Sequence, residues 1–168
     1  MHRRLFLDTN IYARAHIEDE GPSSTLVTLA VNGSLAVVAS EHLVNEVSRF
    51  FRNEFGRDEA YRMRATILAF PELQVVDRLR WERSLALVAP FVRDRTDGPH
   101  FAAARAAGAE ALVSYNRRSI LAGMFDLVPL ATPESVLPAL SGSADWPSKD
   151  ALRRAWEEWA RRSPRAPQ

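Results

Sequence analysis

Arg4-Leu5-Phe6-Leu7-Asp8-Thr9-Asn10 is the stretch on which the reading of this chain turns. A short apolar run that stops on a carboxylate, a hydroxyl and an amide predicts a strand delivering polar groups to the edge of a sheet. In open α/β sheets, ligands sit just beyond the carboxyl ends of the strands. Asp8 is therefore expected as the first ligand of a divalent-metal site. Its competing role is to cap a helix starting near Ile11, for which Asp, Thr and Asn are all suited.

Four further runs resemble the first: Leu35–Ala39, Leu73–Val76, Ala111–Ser114 and Leu127–Ala131. All are continuous rather than alternating, as expected of strands covered on both faces in a parallel sheet. Helical stretches lie between them, at 23–31, 41–55, 58–70, 81–91 and 99–107, with stops at Asn32-Gly33, Gly56, Pro71 and Gly108. Strands alternating with helices predict an α/β fold, a three-layer α/β/α sandwich on a central parallel five-stranded sheet. Ser141-Gly142-Ser143-Ala144 reads as a linker, dividing residues 1–140 from an amphipathic C-terminal helix over Lys149–Arg162 and a frayed tail.

Composition excludes several kinds of chemistry. With no cysteine among 168 residues, disulfides, thiolate catalysis and thiolate zinc sites are all ruled out. Lys and Arg number 22 against 21 Asp and Glu, so no global field points to nucleic acid. No apolar run approaches a membrane span, and the first strand begins too early for a signal peptide, so a cytoplasmic protein is expected. There is no His/Glu pair at metalloprotease spacing, no phosphate-cradling glycine loop and no Gly-flanked nucleophilic serine.

The remaining acids fall into a pattern. Glu46 lies just outside the apolar arc of Leu43, Val44, Val47, Phe50 and Phe51, where it can look into a cleft; Glu54 projects within that arc, and Glu41 points away. Asp97 precedes Gly98-Pro99-His100 and an Ala-rich helix, where capping is the simple alternative. Asp94 lies three residues earlier on the same loop. Asn116 follows Val113-Ser114-Tyr115 and can cap, accept a metal or hold a water, but adds no charge. Asp8, Asp97 and Asn116 are all expected to follow strand ends on one sheet edge. His100 is expected to be a neutral histidine, packed or hydrogen-bonded at its helix start.

In this order the pieces resemble the PIN-domain family of metal-dependent ribonucleases, including VapC-type toxins. The matching segments are Leu7-Asp8-Thr9-Asn10, the run from Ser40 to Val47, the run from Asp94 to Ala104, and the run from Gly108 to Asn116. The resemblance spans roughly residues 4 to 138. It implies Asp8, Glu46 and Asp97 as acidic ligands of Mg²⁺ or Mn²⁺, Thr9 or Asn10 as supporting groups, and Ser114 at the family's hydroxyl position. The family's fourth acid is replaced here by Asn116, which would weaken a second metal more than the first unless Asp94 contributes. The implied activity is endonucleolytic cleavage of single-stranded RNA, with an antitoxin protein as a partner. The alternative is a weakened domain that binds RNA or a protein without cutting; a metal-binding phosphatase is a third option.

Arg14, Arg117 and Arg118 are the expected contacts to RNA phosphates beside the cleft. On the last helix, Leu152, Trp156 and Trp159 form one stripe, expected to pack onto the domain or a second subunit, with a homodimer as the expected assembly. A lesser use of this helix is as an RNA-contacting arm.

Overall fold

Leu5, Phe6 and Leu7 are fully buried, and so are Val37, Val38 and Ala39. Successive side chains of a strand point to opposite faces, so such runs bury completely only when a layer covers each face. That is the arrangement in the computed structural model, which describes residues 2–116 and 120–163. Strands β1 (Arg4–Leu7), β2 (Ala36–Ser40), β3 (Leu73–Val76), β4 (Ala111–Val113) and β5 (Leu130–Ala131) form one parallel sheet, in the order β3-β2-β1-β4-β5. Leu7 pairs with Val113, and Phe6 with Val38 and Leu112.

The connections are helical: α1 (Thr9–Ile17) and α2 (Pro22–Val31) before β2, α3 (Glu41–Phe55) and α4 (Arg57–Leu68) before β3, and α5 (Arg78–Val88) and α6 (Gly98–Ala106) before β4. The short α7 (Met124–Leu127) precedes β5, and α8 (Pro133–Leu140) and α9 (Lys149–Arg162) follow it. Right-handed crossovers put α1–α4 on one face. The α5–α6 connection reverses direction across the sheet and so takes the other face. Ala102, Ala103 and Ala104 are fully buried and let α6 lie close against the strands.

Because the chain turns back between β3 and β4, β1 and β4 are neighbours although α1 leaves one side of their junction and β4 arrives from the other. This is the topological switch point of the sheet, where a crevice opens beyond the carboxyl ends. Asp8 and Ser114 are the first residues past those two ends. The Asp8 backbone N–H donates to the Val113 carbonyl at 3.0 Å, fixing the two exits side by side.

Several expectations are corrected. Leu127 closes α7, and the last strand contains only Leu130 and Ala131, because Met124 and Phe125 turn inward to the core on a helical turn. Residues 133–140 form a helix that the sequence reading leaves unassigned. Glu54 is exposed and outside the buried face of α3, which is made by Leu43, Val44, Val47 and Phe51. β3 is an edge strand whose Val75 stays half exposed. The stripe on α9, by contrast, takes the first of its two expected roles and packs back onto the domain: Leu152 and Trp156 belong to the hydrophobic core, against β5 and α7.

Candidate functional site

Asp8 is both the cap of α1 and a hub. Its Oδ1 accepts from the Thr9 backbone at 2.8 Å, so the capping role holds. Its Oδ2 accepts from Asn10 Nδ2 at 3.0 Å and from Ser114 Oγ at 2.6 Å. Asn10 in turn binds β4's exit twice, donating to Ser114 Oγ at 3.0 Å and accepting from the Tyr115 backbone at 3.0 Å. Ser114 is buried, and the Asn116 N–H donates to its hydroxyl at 2.9 Å.

Glu46 reaches the same crevice from α3. The amphipathic helix places it beside the buried stripe, half covered, where Thr9 Oγ1 donates to its Oε1 at 2.5 Å. Its Oε2 accepts from His100 Nε2 at 3.0 Å, an ion pair between α3 and α6. Burial alone would raise the Glu46 carboxyl, but the His100 hydrogen bond and charge, with Thr9 and His42, lower it to about 2. His100 shows the complementary balance: burial lowers it, yet the bond to Glu46 and the charges of Asp8, Glu46 and Asp97 leave it raised. The neutral histidine expected here is instead held toward its protonated form, because three carboxylates surround it.

Asp97 does not follow a strand. It closes a 3₁₀ turn, Arg95–Asp97, at the N-cap position of α6, and its side chain makes no capping bond. The simple structural role is therefore unused. Its carboxylate faces Asn116, whose Nδ2 lies 3.5 Å from Oδ2. Burial first, and then Asp8, push the Asp97 carboxyl up to about 6, against the opposing charge of His100. A helix N-terminus favours anions, but desolvation and neighbouring acids win here. Asp94 is exposed and accepts from Thr96 N and Thr96 Oγ1 at 2.9 and 2.8 Å, which holds its carboxyl below the usual range. Arg117 and Arg118 lie outside the described residues. The Arg14 guanidinium stacks 4.2 Å from the centre of the Tyr115 ring, at the rim of the crevice.

Glu46, Thr9, Asp8, Ser114, Asn116 and Asp97 thus form one hydrogen-bonded chain drawn from the start of α1, from α3, from the 3₁₀ turn before α6 and from the end of β4. The acids in it are carboxylate oxygens, the donors preferred by hard cations. The raised Asp97 marks a surplus of negative charge that a cation would relieve. The donor set fits Mg²⁺ or Mn²⁺. The three acids do not close into a tight trio, however. Among the described residues, the histidine and acid side chains whose ligand atoms all lie within 4.8 Å of one another are His42, Glu46 and His100. His42 was not singled out from sequence, although its place four residues before Glu46 on one helix face was the available signal.

The PIN domain model matches residues 4–118 of the chain. No curated protein matches. Among solved structures, the chain is similar to VapBC2 from Rickettsia felis bound to a DNA fragment from their promoter, at 15% identity and a TM-score of 0.52, covering 77% of this chain and 98% of that one. It is also similar to Mycobacterium tuberculosis VapC20, described as a Sarcin-Ricin loop cleaving toxin, at 18% identity and a TM-score of 0.48, covering 64% and 86%.

Proposed function

The chain belongs to the PIN-domain family, and from that premise we propose that it is a metal-dependent endoribonuclease acting on single-stranded RNA, the toxin of a toxin–antitoxin pair. The observation that carries this reading is the chain of side chains at the β1/β4 crevice, with Asp8, Glu46 and Asp97 facing it and oriented by neutral partners.

Asp8, Glu46 and Asp97 would hold the ion, with Asn116 as a neutral neighbour and Asp94 near the rim. A bound Mg²⁺ or Mn²⁺ supplies a Lewis acid for the phosphate and lowers the pKa of a ligated water. The protein's own part is orientation. Ser114 and Asn10 fix the rotamer of Asp8, and Thr9 and His100 fix that of Glu46. Arg14, stacked on Tyr115, would meet an RNA phosphate in this reading. An antitoxin polypeptide and a second copy of the chain are the protein partners of this reading.

The test is cleavage of single-stranded RNA in Mg²⁺ or Mn²⁺ by the wild type, Asp8→Asn and Asp97→Asn. Metal-dependent cutting by the wild type, abolished in both variants, is expected; cutting that survives both substitutions would overturn the assignment. Asn116 favours a second reading, since it contributes an amide where the family pattern has an acid: a domain that binds RNA or a protein without cleaving. Retained binding with no cleavage of any RNA would select it.

A further inference from the structure

His42 and His100 come from different helices, α3 and α6, and their Nε2 atoms converge on the same oxygen of Glu46. His100 Nε2 lies 3.0 Å from Glu46 Oε2 and His42 Nε2 3.9 Å from it. The two imidazole rings are 5.3 Å apart, centre to centre. His100 is buried, and on α3 His42, four residues before Glu46, brings a second imidazole to the same carboxylate.

The spacing suits a metal. Ligands bonded at 2.0–2.1 Å to a tetrahedral Zn²⁺ are separated from one another by about 3.4 Å, between the two distances found here. The partly exposed His42 can close the remaining gap by side-chain rotation. Two imidazoles and one carboxylate form a donor set that borderline transition metals prefer and that Mg²⁺ or Mn²⁺ does not. There is also a way in. His42 lines a surface groove with Glu41, Asn45, Arg78, Trp81 and Pro99, so an ion can arrive without crossing the crevice of Asp8.

We propose that His42, Glu46 and His100 form a three-ligand site for Zn²⁺ or a similar transition-metal ion, sharing Glu46 with the acidic crevice. Its consequence for activity rests on the nuclease reading: an ion on Glu46 Oε2 withdraws that carboxylate from the hard-cation set, so Zn²⁺ acts as an inhibitor competing for one ligand rather than as the catalytic metal.

The test is titration of the metal-free, full-length protein with ZnCl₂ by calorimetry. A parallel CoCl₂ titration is followed by the visible absorption of four-coordinate Co²⁺. The wild type should bind one equivalent. His42→Ala, at a half-exposed position whose folding is checked by thermal melting, should weaken binding at least about tenfold and lose the Co²⁺ band; His100→Gln should do the same. Asp8→Asn should bind Zn²⁺ as the wild type does. Equal affinity in wild type and His42→Ala overturns the proposal, as does a loss in Asp8→Asn as large as in His42→Ala, which would put the ion in the acidic crevice. Neither readout needs RNA. A failed cleavage assay leaves this result standing, and a failed titration leaves the nuclease assignment standing. Where Mn²⁺-supported cleavage is seen, one equivalent of Zn²⁺ should suppress it in the wild type and less so in His42→Ala.

Discussion

Ser114 Oγ donates to Asp8 Oδ2 at 2.6 Å across the junction of β1 and β4, and the same hydroxyl accepts from the Asn116 backbone and from Asn10. One buried hydroxyl therefore sets the rotamer of the first acid and the path of the chain that follows β4.

Ser114→Ala should leave the sheet intact while releasing Asp8. Losing the three hydrogen bonds made by this hydroxyl, to Asp8, Asn10 and the Asn116 N–H, should cost about 1–3 kcal/mol of stability. Cleavage should fall about 10–100-fold, the usual effect of losing a group that orients a metal ligand. Rates and melting curves measured together check this; unchanged cleavage would show that Asp8 needs no such hold.

The metal-free protein should carry a pH-dependent weakness at Asp97. Its carboxyl rises on folding from 3.8 to about 6, so the folded state binds the proton more tightly than the unfolded state does. The penalty is absent below about pH 4, grows as pH rises toward 6 and is complete above it. Asp97→Asn should accordingly melt higher than the wild type at pH 7 without metal, with the gap closing by pH 4. Mg²⁺ or Mn²⁺ should raise the wild-type melting temperature more than that of the variant. A variant less stable than the wild type at pH 7 would contradict this account.

Arg14 is expected to act on RNA through charge. Arg14→Ala should weaken RNA binding a few-fold at low salt and reduce the salt slope by about 1, with cleavage chemistry otherwise retained. Binding measured across a salt series reads both effects.

Trp156→Ala should destabilise the protein by about 3–5 kcal/mol. The indole is buried where α9 covers β5 and α7, and it packs 4.9 Å from the Trp159 ring, which continues to Tyr115 at 5.9 Å. Chemical denaturation gives the number directly; a loss below 1 kcal/mol would mean that α9 is only loosely attached.

Residues with one dominant physical cause were legible from sequence. Arg4–Leu7, Glu41–Phe55 and Lys149–Arg162 carry the bounds expected of them, since burial on both faces or a single apolar stripe decides each; Leu73–Val76 also keeps its bounds, although as an edge strand it is only partly buried. Glu46 was found because helical geometry alone puts it beside that stripe. Asp97 was expected at a strand end but stands on a 3₁₀ turn, and two consecutive turns after α5 leave no periodicity to read. The protonation tendency of His100 depends mainly on Glu46 and Asp8, far away in the chain, with Asp97 nearby adding to it, and the convergence of His42 and His100 on Glu46 Oε2 depends on how α3 and α6 pack. Local pattern carries neither.

The strand order has a consequence for synthesis. Asp8 leaves the ribosome early, but its partner Ser114 lies 106 residues later, and β4 must slot beside β1 before the two meet. Domains generally fold as units during translation, so a growing chain that has emerged through α5 has Asp8 and Glu46 without the hydroxyl that aims the first or the histidine that pairs with the second. The crevice is assembled only when the middle of the sheet closes. A cell making this protein thus meets the finished site only after nearly the whole domain has been translated.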